Sequence, residues 1–210
     1  MITPDALGYL PETPSQTAGP FVHIGLIPRQ AGFDIFDNNL GTITLSPEIK
    51  GERIRIEGRI FDGTGAVIRD ALVEIWQADS FGRFNHPADD APGPRDAPFR
   101  GWGRTGTDFE TGTWSFATIK PGRVARRHGG GSLAPHILIW IVARGINLGL
   151  LTRLYFEDEA AANAEDPVLR LIEQPERRRT LIARRAPGDG NAYVFNIHLQ
   201  GAEETVFFDV

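Results

Sequence analysis

The sequence predicts an all-β chain folded as a two-sheet β-sandwich, and three features carry that expectation. Short segments of alternating polar and apolar residues recur along the chain, the signature of strands with one wet face. Turn formers are abundant, with 24 Gly and 15 Pro in 210 residues, more than a helical bundle tolerates. Helical character is confined to two short stretches, which read as inserts between strands.

Residues 1–50 show little periodicity and are punctuated by Pro4, Pro11, Pro14, Pro20, Pro28 and Pro47. Leu10, Phe21, Val22, Ile24, Leu26 and Ile27 make this arm too apolar for a free tail, so it is expected to be pinned against something larger. The expected division is an arm over 1–50 and a sandwich over 51–210. Arg53 to Glu57 alternates strictly, runs on to Ile60-Phe61, and meets the turn Asp62-Gly63-Thr64-Gly65. Ala71 to Trp76 reads as a second strand. The Pro-, Gly- and Asp-rich stretch from Ala78 to Gly101 reads as a long loop of the kind that carries function.

Gly112 to Ile119 is a further strand, closed by the Lys120-Pro121-Gly122 turn, and Arg123 to Pro135 reads as irregular. His136 to Ala143 is nearly all apolar and is expected to be buried on both faces. Leu150 to Phe156 is the next strand. Glu157–Ala164 and Pro175–Ala183 are the two helix candidates, one with acids in its first turn and one opened by Pro. Ala192 to Gln200 and Thr205 to Val210 are read as the closing strands.

Composition narrows the function classes. A chain of this length buries roughly 70% of its unfolded surface and needs no staples. The absence of cysteine excludes disulfides, thiolate metal sites and thiol nucleophiles. A formal net charge of -5 with pI near 5.6 argues against a nucleic-acid binder. The longest apolar run, Ile137 to Ala143, is far short of the roughly 20 residues that span a bilayer. Met1 to Leu10 carries no basic region followed by an apolar run, so the expected setting is the cytoplasm.

Catalytic motifs are few. The five histidines, His23, His86, His128, His136 and His198, form no HExxH pair, and Gly129-Gly130-Gly131 lacks the Lys-Ser or Lys-Thr of a phosphate loop. His136 opens the most apolar strand. The residue two positions on, which shares its face, is Leu138, so a lone imidazole stands where non-haem iron needs three or four protein groups. A hydrogen-bonded core histidine is the better reading. Arg126-Arg127 and Arg177-Arg178-Arg179 read as solvated surface. Arg144 differs: it ends an apolar strand, precedes Gly145, and has no acid nearby in sequence. It could clamp a carboxylate bidentately or turn outward into water, and the sequence leaves both open.

A series of motifs then carries a resemblance. Leu10-Pro11-Glu12-Thr13-Pro14-Ser15-Gln16-Thr17-Ala18-Gly19-Pro20 is followed by Phe21-Val22-His23-Ile24-Gly25, Glu74-Ile75-Trp76-Gln77-Ala78-Asp79, Gly103-Arg104-Thr105 and Ile119-Lys120-Pro121-Gly122. Ala134-Pro135-His136-Ile137, Ala143-Arg144-Gly145-Ile146-Asn147, Thr152-Arg153-Leu154-Tyr155-Phe156, Leu171-Ile172-Glu173-Gln174-Pro175 and Glu204-Thr205-Val206-Phe207-Phe208-Asp209 complete it. Through these pieces, in order over nearly the whole chain, the sequence resembles the intradiol ring-cleavage dioxygenases, and in particular the alpha chains of their two-chain members. The resemblance implies a prealbumin-like sandwich. It also implies cleavage of a catechol between its hydroxyl carbons by Fe(III) and O₂, with protocatechuate as the substrate and 3-carboxy-cis,cis-muconate as the product.

The family holds its iron with two tyrosines and two histidines, and the resemblance implies that the partner beta chain supplies all four. The matching positions here are Phe84 within Gly82-Arg83-Phe84, Val124 after the Lys-Pro-Gly turn, and His136 with Leu138. An arginine that precedes the histidine pair is replaced by Leu133. The resemblance therefore implies no metal ligand and no catalytic residue in this chain. It assigns Thr17, Pro20 and Arg144 to the border of the partner's substrate pocket, and it implies that the arm over 1–50 packs on that partner chain within a higher-order hetero-oligomer of alpha-beta pairs. A cation beside the ring carboxylate of protocatechuate would favour the acid over neutral catechols by about 1.5–3 kcal/mol.

Two rivals are set against this reading. A purely structural sandwich of transthyretin or carboxypeptidase-regulatory type would share the Asp-Gly turn and the Trp-bearing strand without touching substrate. A self-sufficient homomeric dioxygenase would need two iron-binding tyrosines from Tyr9, Tyr155 and Tyr193, which lie poorly placed in the sequence for convergence.

Overall fold

Alternation of burial in the strands follows the alternation of the sequence, and two sheets result. The computed structural model describes residues 16–36, 41–126 and 130–209. Tyr9, the first six residues of the Leu10–Pro20 motif, Arg127, His128, Gly129 and Val210 lie outside them. Strands are β1 (Arg53–Phe61), β2 (Leu72–Gln77), β3 (Trp102–Gly106), β4 (Thr113–Ile119), β5 (Val124–Ala125), β6 (Ser132–Leu133), β7 (His136–Val142), β8 (Leu150–Phe156), β9 (Ile182–Ala186), β10 (Asp189–Val194) and β11 (Ile197–His198). Helices are α1 (Phe21–Leu26), α2 (Ala160–Glu165), α3 (Pro167–Leu171) and α4 (Pro175–Arg178).

One sheet runs β3-β2-β7-β8, all antiparallel. The other is built on β1, with β4 antiparallel on one side and β10, then β11, parallel on the other. Strand β9 belongs to both sheets: Ile182 and Ala183 pair with the end of β8, and Arg184 to Ala186 pair with β10. The core lies between the sheets. Ile54, Ile56 and Ile60 of β1 and Trp114 and Phe116 of β4 meet Val73 and Ile75 of β2, Ile137, Ile139 and Ile141 of β7, and Leu154 and Phe156 of β8. At roughly 1.5–3 kcal/mol per buried large side chain, this shared layer is the main stabilising term.

Several elements depart from expectation. Strand β7 is buried on one face, not two: Ile137, Ile139 and Ile141 are inaccessible, whereas Leu138 is half-buried and Trp140 remains 40% exposed. An apolar outer face on a sheet that is covered on its inner face misleads a periodicity argument. The stretch Arg123–Pro135 contains a small ribbon, β5 paired with β6. Strand β3 carries two glycines and little strand propensity; it forms because Gly103 lets Ile43 and Phe116 close over it. The second helix candidate stops early, since Ile182 and Ala183 are taken by β8.

Helix α3 was unforeseen, although Asp166-Pro167 is a capping signal: the Asp166 carboxylate accepts from the amides of Val168 and Leu169. The last two expected strands are also altered. Ala192–Gln200 breaks between β10 and β11, where the Phe195 amide donates to the Glu57 carbonyl and its own carbonyl lies on Gly58, leaving no room for a Cβ there. Residues 205–209 make only a bridge, Phe208 to Leu151.

The loop 78–101 has no helix or strand, as expected, and carboxylates order it. Asp79 accepts from the amides of Phe81, Arg83 and Asp96, and Asp89 pairs with Arg83 at 2.8 Å while accepting from the Phe84 amide. Within the arm, Ile43, Leu45 and Ile49 pack on Phe99 and Ile119 of this same chain, and Gln30 bonds the backbone of Gly106 and Thr107.

Candidate functional site

The residues singled out in the sequence fall into two regions at opposite ends of β7. At its start, four positions gather around the outer face of the sheet. Gly82 has a φ of 77° and lies so close to the Arg123 carbonyl that a Cβ would collide with it. That approach brings the Gly82-Arg83-Phe84 segment beside Val124. Phe84 stacks on Trp76, 5.8 Å between ring centroids, and Trp76 stands opposite Leu138 across the β2–β7 ladder. Val124 stands opposite Leu133 in the ribbon.

His136 is buried, and its Nδ1 lies 2.8 Å from the Ala134 carbonyl, to which it donates as the Nδ1–H tautomer. Burial is the main influence on this imidazole. It outweighs the opposing Ala134 bond and, with the charge of Arg153, brings the pKa down to about 4, so the ring is neutral at pH 7. Beside it, Tyr155 donates to Asp166, and burial followed by the Asp166 charge pushes the phenol well above its ordinary value. Asp166 also accepts from the Ala134 amide at 2.8 Å. Arg153, opposite Leu138, lies over the Phe208 ring at 5.6 Å.

This donor set does not fit a ferric ion. Phe84, Val124 and Leu138 present carbon only, and one nitrogen of His136 is already committed. Phenolate and imidazole donors hold such a centre, and hydrocarbon cannot replace them. Among the described residues, no group of three or more His, Cys, Asp or Glu is arranged to hold a metal.

The second region lies just past the end of β7. The Ile146 amide donates to the Ala143 carbonyl, closing a turn whose third residue, Gly145, has a φ of 84°, a conformation that favours glycine. The Gly145 amide points out of the turn and donates to Thr17 Oγ1 at 2.7 Å. Thr17 of the arm and the strand-end Arg144 are therefore brought together, as neighbours in space 127 residues apart in sequence. Pro20, three residues on and exposed, stands just before the start of α1.

Arg144 is 69% exposed, and its Nε lies 2.5 Å from Asp70 in the turn before β2. Sequence reasoning saw no acid near Arg144 and missed Asp70, since nothing local links the two. His23 on α1, which nothing in the sequence places here, is buried against Phe109, and among the described residues its Nε2 has no hydrogen-bond partner. Burial lowers the His23 pKa; the Asp70 charge opposes this and the Arg144 charge adds to it. The groove lined by Leu45, Pro47, Arg53, Arg55, Ala117 and Asn191 lies on the other sheet and shares no residue with either region.

With this geometry in view, comparison with known proteins identifies the class. A family model described as Dioxygenase matches residues 36–201. The chain belongs to the intradiol dioxygenase family. Within it, the chain is 51% identical to the protocatechuate 3,4-dioxygenase alpha chain of Pseudomonas putida, over 95% of this chain and 97% of that protein. It is 35% identical to the beta chain of Burkholderia cepacia, over 74% of this chain and 67% of that one. The fold matches 3-chlorocatechol 1,2-dioxygenase of Rhodococcus opacus with a TM-score of 0.54 at 21% identity, covering 75% of this chain and 64% of that one. That match bears out the sandwich. Among the described residues, no helix is long and apolar enough to cross a membrane.

Proposed function

We propose that this chain is the alpha, non-iron-binding subunit of a protocatechuate 3,4-dioxygenase. The heteromeric enzyme cleaves 3,4-dihydroxybenzoate with O₂ to 3-carboxy-cis,cis-muconate in the cytoplasm. Fe(III) is held by the beta chain, and this chain shapes the pocket beside it. The arm over 1–50 packs on that partner, and alpha-beta pairs build a larger assembly.

One observation carries the reading. Three of the four positions that match iron ligands in the family are Phe84, Val124 and Leu138, and His136 spends its Nδ1–H on Ala134. The higher identity to an alpha chain than to a beta chain agrees with it. At the other end of β7, Thr17, Pro20 and Arg144 supply a hydroxyl, a rigid apolar wall and a cation. A guanidinium beside the substrate's ring carboxylate favours protocatechuate over plain catechol by a charge-assisted hydrogen bond.

The test is co-purification with the neighbouring beta-like chain and iron analysis of each. The pair is expected to carry iron and the colour of a ferric phenolate; the isolated 210-residue chain is expected to be colourless and metal-free. Stoichiometric iron in the isolated chain overturns the assignment. In the pair, Arg144→Ala is expected to raise KM for protocatechuate about 10- to 100-fold with iron retained; unchanged kinetics removes Arg144 from the pocket.

A further inference from the structure

We propose that Asp70 positions Arg144, setting which edge of its guanidinium is offered to a carboxylate; the inference rests on the reading of Arg144 as a pocket residue. Three separate segments meet at this point: the arm through Thr17, the turn before β2 through Asp70, and the turn after β7 through Arg144 and Gly145. The backbone of the last turn is fixed by its own closure and by Thr17, so the Arg144 Cα is well placed. The side chain is another matter. It is long and 69% exposed, and without an anchor it samples many rotamers.

Asp70 is the anchor. Its side chain is 28% exposed, and it engages Nε, the inner edge of the guanidinium. A guanidinium presents its five donors along fixed edges of one plane. With Asp70 against Nε, the end bearing Nη1 and Nη2 is the edge left for a bidentate partner. Charge around the pair agrees with this arrangement. His23, which feels the charges of both Asp70 and Arg144, is buried, and burial favours its neutral form, so it offers Asp70 no competing full charge. Among the described residues, the ion pair of Asp70 goes to Arg144 and not to the adjacent Arg69.

As a stability element the pair would matter little, because exposed ion pairs contribute close to nothing. As a positioning device it removes the cost of immobilising a rotamer-rich side chain when the ligand binds. The two roles predict different kinetics. In the enzyme reconstituted with its iron-bearing partner, Asp70→Ala is expected to raise KM for protocatechuate about 3- to 10-fold while kcat moves less than about twofold. The KM for catechol, which has no ring carboxylate, is expected to stay near the parent value. Asp70→Asn keeps an oxygen acceptor in place and is expected to restore most of the loss. In an Arg144→Ala background, Asp70→Ala is expected to add no further effect.

The outcomes separate the two claims. If Arg144→Ala leaves kinetics unchanged, the pocket reading falls and this inference with it, since there is nothing for Asp70 to orient. If Arg144→Ala raises KM but Asp70→Ala leaves it unchanged, lowers it, or acts equally on catechol, the inference alone is overturned. An Asp70→Ala effect that persists in full without Arg144 overturns it as well.

Discussion

The two ends of β7 treat their polar groups in opposite ways. At the start of the strand the bonded donors and acceptors turn inward. His136 serves Ala134, Asp166 serves the amides of Ala134, Val168 and Leu169, and Phe84, Val124 and Leu138 contribute packing alone. Just past the other end of the strand, roughly 20 Å along at 3.3 Å per residue, Arg144 and Thr17 are exposed and held by single contacts. A region built of hydrocarbon and inwardly bonded polar groups is part of the core, and its residues answer to stability. A region that keeps charge at its surface answers to a partner or a ligand. The two should therefore respond to mutation through different measurements.

The largest effect is expected where the first region is most tightly bound. Asp166 is fully buried and accepts from three backbone amides and the Tyr155 hydroxyl. Asp166→Ala would leave those donors buried and unpaired, uncap α3, and cost about 3–5 kcal/mol in equilibrium unfolding. A loss under about 1 kcal/mol would show that this region is not a rigid core.

A second break comes from pH. The turn Glu157–Glu159 after β8 is tied down by Asp158, which pairs with Lys120 and with Arg185 at 2.7 Å each and accepts from the Tyr193 hydroxyl. Burial alone would raise its pKa, but the bonds from Lys120 and Arg185 outweigh it and hold the carboxyl at about 2. A carboxylate whose folded pKa lies below its unfolded value contributes its full stabilisation above the unfolded value, near 3.8, and loses it as pH falls toward 2. Unfolding free energy is thus expected to drop by about 2 kcal/mol between pH 5 and pH 2 through this group. In Asp158→Asn that portion of the pH dependence should be missing; a slope identical to the parent's would remove the network as its cause.

What the sequence showed and what it hid follow the same division. The core face of β1, β4 and β7 was legible because alternation is a local property, and the Asp62 turn because its side chain bonds its own neighbours, the Thr64 and Ala66 amides. The lack of donor atoms at Phe84, Val124 and Leu138 was legible because side-chain chemistry is stated by the residue itself. The β3 strand was hidden because its glycines matter only once Ile43 and Phe116 press on them. The outer face of β7 was hidden because apolar residues do not declare whether a layer covers them. Asp70 was hidden because its link to Arg144 spans 74 residues and exists only when two turns meet.

The smallest expected effect is the sharpest test of the second region. Thr17→Val keeps the shape of the side chain and removes the oxygen that accepts from the Gly145 amide. Both groups are near solvent, so water can satisfy the freed amide, and the cost to stability is expected to stay under about 1 kcal/mol. The arm is then no longer tied to the Arg144 turn. In the two-chain enzyme this should appear as a rise of about 2- to 5-fold in KM for protocatechuate with unfolding midpoints unchanged. The reverse pattern, a lowered midpoint with unchanged KM, would make the Thr17 contact a structural clip like those at the start of β7, and the contrast between the two ends of the strand would fail there.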